Sequence, residues 1–287
     1  MKATPIVLVA ILALVLAGCS ASASTPATPS AGAATTTTAT ARASFGPSAA
    51  GGELTIYGAA SLKAALDLAK TAYEATHPGT TLTISTDSSS ALETQIEQGA
   101  PADVFLSADS TNPQKLVDKG LADAPPVPFA ANELTIVVPA ANPAAISSPA
   151  DLAKPGIKVI GAGDTVPITK YATQLVQNLA TQPGYPADFV ARYDANVASK
   201  EDNVKALLAK IELGEGDAGI VYVTDAKASG KVRTVDVPDA ANVAAAYDGV
   251  VLRPSANAAA AKDFLDWVAG PDGQSILHGL GFLPPAS

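Results

Sequence analysis

Four short segments carry the residue types that bind an anion without using charge. They are Ala59-Ala60-Ser61-Leu62, Asp87-Ser88-Ser89-Ser90, Thr165-Val166-Pro167 and Glu201-Asp202-Asn203-Val204, each placed to open a helix. A helix start leaves backbone N–H groups unpaired and carries partial positive charge, so a single start is a generic anion site. Ser61 and Ser89 offer a hydroxyl and a backbone N–H each, Ile168 and Val204 a backbone N–H, and Tyr222 a phenolic O–H. All are neutral donors, and a fully deprotonated tetrahedral dianion needs donors only. Hydrogen bonds to an ionised acceptor are roughly twice as strong as neutral ones, so about seven such donors in one dry cleft would hold a dianion. A protonated anion such as hydrogen phosphate would also want an acceptor, and Asp202 keeps that alternative open. Taken singly, a serine before a helix is ordinarily a cap, Val204 a core residue and Tyr222 a core aromatic. Only their convergence would make a site.

The elements that must bring them together alternate between strand and helix, which argues an α/β layered fold with parallel strands. The pattern predicts strands over 54–57, 81–85, 104–107, 133–139, 157–161, 218–223 and 243–252. Helices are predicted over 62–75 with Ser61 as N-cap, and from Ser90 to about Gln98 with a Ser90–Glu93 capping box. Further helices are predicted over 113–119, 148–152, 167–180, 203–213, 257–268 and 272–278. Pro167 suits a first helical position, where its missing N–H costs nothing. No internal repeat is visible.

Other chemistry finds little support. His77 and His278 are far apart, and neither sits beside a cysteine or a paired carboxylate, which argues against zinc. Ser88-Ser89-Ser90 lacks the Gly-x-Ser-x-Gly elbow of a nucleophile, and Gly161-Ala-Gly-Asp164 lacks the Gly-Lys-Ser/Thr of a phosphate loop. No titratable groups converge, so capture without catalysis or cofactor is expected. The chain has 18 Lys and Arg against 27 Asp and Glu, a formal net charge of −9. That argues against a nucleic-acid partner, which wants a basic face. It does not argue against an anion held by aimed local dipoles.

The first fifty residues read as an address. Met1-Lys2, an apolar run from Pro5 to Leu16 and small residues up to Cys19 describe a secretory signal peptide over 1–18. Leu16-Ala17-Gly18-Cys19 resembles a bacterial lipobox, which implies cleavage before Cys19 and lipid on its thiol. Cys19 is the only cysteine, so no disulfide framework is possible within the chain. Ser20 to Gly52 is nearly all Ala, Ser, Thr, Pro and Gly. Such a segment cannot bury enough apolar surface to fold, and with Cys19 it is expected to be a flexible tether reaching roughly 30 Å.

Across the body, Tyr57-Gly-Ala-Ala-Ser61-Leu62, Ser88-Ser-Ser90 and Gly99-Ala-Pro-Ala-Asp103-Val-Phe-Leu-Ser-Ala-Asp109 resemble the bacterial molybdate-binding proteins of ABC importers. Val166-Pro167 with Tyr171-Ala172, Glu201-Asp202 with Val204, Gly219-Ile-Val-Tyr222 and Gly281-Phe282 continue the likeness in order. The resemblance implies a two-lobed periplasmic binding protein fold (type 2), with a ligand cleft between the lobes. One lobe is expected at 53–132 and 237–287 and the other at 133–236. It implies molybdate or tungstate held by Ser61, Ser89, Ile168, Val204 and Tyr222, the metal being met only as its oxyanion. It further implies an extracytoplasmic monomer, tied to the bacterial cell membrane through Cys19, that delivers its anion to an ABC permease. Sulfate or phosphate on the same fold, or an envelope adhesin, are the rival expectations. Ile168, Asn203 and Gly58 depart from what is common in that family. Ile168 is expected to narrow the pocket, a one-residue slip at Asn203 would change which amide points inward, and Gly58 is expected to be neutral. Lys170 is expected on a solvated helix face.

Overall fold

A computed structural model describes residues 52–253 and 255–285. The expected signal peptide, the lipidation of Cys19 and almost all of the tether fall outside the described residues.

Two five-stranded mixed sheets organise the chain. The first contains β1 (Glu53–Ala59), β2 (Thr81–Asp87), β3 (Val104–Ser107), β4 (Val127–Asn132) and β10 (Ala245–Val251), in the order β2-β1-β3-β10-β4. The second contains β5 (Leu134–Pro139), β6 (Val159–Ala162), β7 (Val197–Glu201), β8 (Ala218–Tyr222) and β9 (Val232–Val235), in the order β7-β6-β8-β5-β9. In the first sheet β1 runs parallel to β2 and β3, and only β10 is reversed. In the second β6 runs parallel to β7 and β8, and only β5 is reversed. The helices are α1 (Lys63–Thr76), α2 (Ser89–Glu97), α3 (Thr111–Asp118), α4 (Pro167–Ala180), α5 (Phe189–Asn196), α6 (Val204–Glu212), α7 (Val223–Lys227), α8 (Ala258–Ala269) and α9 (Pro271–Gly279). The chain passes from the first sheet to the second between Asn132 and Leu134, and returns between Val235 and Ala245. The strand–helix alternation anticipated the α/β layering, and the resemblance implied the two lobes, seen here as two sheets.

Parallel strands require helical crossovers, which cover them on both faces, so they read as apolar runs. Ile56, Val104 and Leu106 in the first sheet and Ile136, Val159 and Val221 in the second are fully buried. Two glycines let helices sit close on these strands. A Cβ at Gly58 would stand 2.3 Å from Leu66 Cδ1 of α1. That contact is with the end of a movable side chain, not with backbone. A Cβ at Gly219 would stand 2.7 Å from Leu207 Cδ2 of α6 and 3.1 Å from the Ile160 carbonyl oxygen.

Two local expectations are corrected. Ser61 is not a helix N-cap; it lies inside a 3-10 turn, Ala60–Leu62, and α1 begins after Leu62 with no side-chain cap. The Ser90–Glu93 capping box is absent. Ser88 caps α2 instead, accepting from the Ala91 N–H at 3.4 Å. Strands β4, β7 and β9 and helices α5 and α7 were not anticipated by the pattern.

Candidate functional site

In open α/β sheets ligands bind beyond the carboxyl ends of the parallel strands. Here six such ends bear the candidate residues. Ser61 follows β1, Ser89 follows β2 and Ala108 follows β3. Val166 to Ile168 follow β6, Val204 follows β7, and Tyr222 ends β8. All five predicted residues, Ser61, Ser89, Ile168, Val204 and Tyr222, line one small pocket with about 210 Å³ of empty space. The two sheets each contribute a side of it. Neither Asp202 nor Lys170 lines it, and no lining residue is charged. Lys170 is exposed, as expected, with Nζ 3.4 Å from Thr111 Oγ1.

The donors are set up in the same manner on both sides. The Ser88 hydroxyl takes the Ala91 N–H in α2, and the Asn203 carboxamide oxygen takes the Ala206 N–H in α6 at 3.0 Å. Each cap satisfies the third amide of its helix, which leaves the first amides, those of Ser89 and Val204, without an intrahelical partner. Asn203 is the cap residue and Val204 the first helical residue, so the slip considered at this position does not arise. At α4 the cap residue is Val166, which has no capping side chain, and Pro167 brings no N–H. The Thr169 N–H turns back to the Val166 carbonyl at 2.9 Å. The Ile168 amide is therefore the free donor of that start.

The hydroxyls follow the same logic. Ser89 Oγ accepts from the Ala108 N–H at 3.0 Å in a buried setting, so its own proton is available to a second partner. Ser61 Oγ lies 2.9 Å from Tyr247 Oη, also buried. A phenol donating to Ser61 leaves the serine proton free for the pocket. Tyr222 carries the plainest signal. Its hydroxyl is buried and has no hydrogen-bond partner among the described residues. A buried polar group without a partner costs about 1–3 kcal/mol, so this hydroxyl gains by donating to a group that enters the pocket. Burial, with the neighbouring Tyr247, Tyr171, Asp225 and Asp109, pushes the Tyr222 pKa well above the ordinary tyrosine value. The group stays a donor at neutral pH.

Behind the pocket, Asp225 is fully buried. Burial raises its pKa while the Lys205 ammonium, 2.7 Å from Oδ1, opposes the rise. Among the described residues no group of three or more His, Cys, Asp or Glu is arranged to hold a metal ion. The sequence reading passed over Tyr247 as a contributor to this region. Tyr247 lies far along the chain in the returning strand β10, and only the sheet order brings it beside Ser61.

Comparison with known proteins bears on the family and the fold. The family model for bacterial extracellular solute-binding proteins matches residues 54–283. The molybdate-binding protein of Mycobacterium tuberculosis (strain H37Rv) is 34% identical over 241 residues, covering 84% of this chain and 88% of that protein. The solved periplasmic molybdate-binding protein of Azotobacter vinelandii superposes with a TM-score of 0.69 at 22% identity, covering 81% of this chain and 100% of that one. The sulfate-binding protein of Mycobacterium tuberculosis superposes with a TM-score of 0.71 at 22% identity, over 81% of this chain and 86% of that one. At that identity the two structures speak for the fold alone. With a family model spanning nearly the whole described body, the chain belongs to the bacterial extracellular solute-binding proteins.

Proposed function

We propose that this chain is the extracytoplasmic receptor of an ABC importer and that it captures molybdate or tungstate as the fully deprotonated dianion. The observation that carries the reading is the buried Tyr222 hydroxyl, without a partner among the described residues, in a pocket whose described lining has donors and no charged side chain. Ser61 and Ser89 act from one lobe, and Ile168, Val204 and Tyr222 from the other. The lobes are 53–132 with 237–287, and 133–236, a division supported by sheet membership. The two chain passages between sheets act as the hinge, and closure is favoured because only the closed form brings both donor sets onto one anion.

Selectivity follows from charge state and size. Hydrogen phosphate carries a proton that needs an acceptor, and no carboxylate lines the pocket. Sulfate is smaller than molybdate, and hydrogen bonds weaken once N–H···O distances stretch beyond about 3.2 Å. The pocket does no chemistry; it binds, dehydrates and releases. The Leu-Ala-Gly-Cys ending supports lipid attachment at Cys19, which would hold a monomer at the membrane surface beside its permease.

Isothermal titration calorimetry of the full chain in mild detergent, with molybdate, tungstate, sulfate and phosphate in turn, tests this. One-to-one binding of molybdate and tungstate with the other two silent is the expected result. Binding of sulfate or phosphate in preference to molybdate would overturn the ligand while leaving the capture mechanism.

A further inference from the structure

The Asn203 side chain faces two ways at once. Its Oδ1 accepts from the Ala206 N–H and caps α6. Its Nδ2 donates to Asp87 Oδ1 at 2.9 Å. Asp87 is the last residue of β2 in the first sheet, whereas Asn203 follows β7 in the second. The same Asp87 oxygen accepts from the Ser88 N–H at 2.7 Å. A single carboxylate oxygen thus gathers the residue that caps α2 and the residue that caps α6. It does so one position away from Ser89 in sequence on one side and from Val204 on the other.

We propose that the Asn203–Asp87 hydrogen bond is a latch between the lobes, made in the closed form, which sets the distance between the Ser89 and Val204 donors and slows release of the anion. The proposal rests on the oxyanion-capture reading above. Asn203 acts as a positioning residue and does not itself need to touch the ligand. Three considerations carry it. The bond joins residues of different sheets, so opening the cleft must break it. It is half-buried and has an ionised acceptor, which makes it stronger than a neutral pair. And the two jobs of Asn203 need an acceptor and a donor on one short side chain, which a carboxamide has and a carboxylate lacks.

That last point supplies the test. Asn203→Asp keeps a good N-cap but sets a carboxylate against Asp87 with no proton to share. Asp87→Ala removes the acceptor without adding charge. Asn203→Asp with Asp87→Asn restores one donor and one acceptor across the gap at the wild-type net charge. Stopped-flow measurement of molybdate association and release on the full chain separates the possibilities, with thermal melts to show that each variant is folded.

The latch predicts that Asn203→Asp and Asp87→Ala release molybdate about tenfold faster while association changes little, since a bond made only after closure acts on the off-rate. The double variant should return release toward the wild-type rate. Wild-type release in both single variants would overturn the latch. So would a loss in Asn203→Asp confined to association and relieved by salt, the mark of simple charge repulsion. A wild-type chain that takes up neither molybdate, tungstate nor sulfate would instead overturn the capture reading, and the latch with it.

Discussion

At the scale of single residues, binding is argued from where protons point. Ser89 has its acceptor side occupied by the Ala108 N–H, and the Tyr222 hydroxyl has no partner among the described residues. Tyr222→Phe should weaken molybdate binding by about 1.5–3 kcal/mol, the range for a hydrogen bond to a charged group. The same change should leave apparent stability without ligand unchanged or raised, because it removes an unsatisfied buried hydroxyl. Calorimetry and a thermal melt read the two effects, and unchanged affinity would take Tyr222 out of the site. Lys170→Ala is the control: its ammonium stands outside the pocket, so affinity should move by less than about 0.5 kcal/mol. These candidates were drawn from residue type at expected helix starts and from the motif resemblance, since singly each reads as a cap or a core residue. Their second partners were not legible, since Tyr247 and Ala108 reach Ser61 and Ser89 only through tertiary structure.

At the scale of elements, the site depends on how closely helices approach their strands. Gly219 in β8 faces Leu207 of α6, the helix whose first residue is Val204. Gly219→Ala should push α6 outward and so weaken both folding and anion binding, since the added Cβ meets the Ile160 backbone as well as a movable side chain. A thermal melt lowered together with molybdate affinity is the expected pair of results. Helix α2 makes a second case. Glu93 looks in sequence like the far half of a capping box, yet it is buried. Burial, then its hydrogen bond with Glu97, raises its pKa from 4.5 to about 6. The folded state therefore holds a proton that the unfolded chain has released between about pH 4.5 and 6, and stability falls as pH rises through that window. Glu93→Gln should remove that fall and raise the melting temperature at pH 7.

The missed strands share a cause. Strands β4, β7 and β9 are edge strands. An edge tolerates Pro128, Lys200 and Arg233 in places that a central strand would fill with apolar residues. In β7 and β9 burial is partial, and in β4 the buried stretch Phe129–Asn132 is short and follows Pro128, so none offers the apolar run by which β3, β5 and β8 were read directly.

At the scale of the whole molecule, the two sheets have one design. In each, read across the sheet, an edge strand and two further strands run parallel, one reversed strand comes next, and the opposite edge strand is parallel to the first three. No sequence repeat marks this likeness; it resides in topology, which many sequences can satisfy. Its consequence is that two sets of parallel-strand ends, each with capped helix starts, meet over one pocket. A chain with a net charge of −9 can then bind a dianion, because the anion meets aimed N–H and O–H dipoles at close range while distant charge is screened. The alternation of strands and helices made the α/β layering readable, whereas the two lobes and the candidate site came from the motif resemblance. The inter-lobe contact of Asn203 with Asp87 was out of reach, since residues 116 apart meet only after both lobes are built.

The most direct test of the neutral-donor cage is an anomalous difference map from crystals of the protein grown with molybdate, recorded at the molybdenum absorption edge. One peak between the two sheets is predicted, its oxygens about 2.7–3.2 Å from the Ser61, Ser89, Ile168, Val204 and Tyr222 donors and away from every ammonium group. A peak beside a lysine, or none between the sheets, would contradict it.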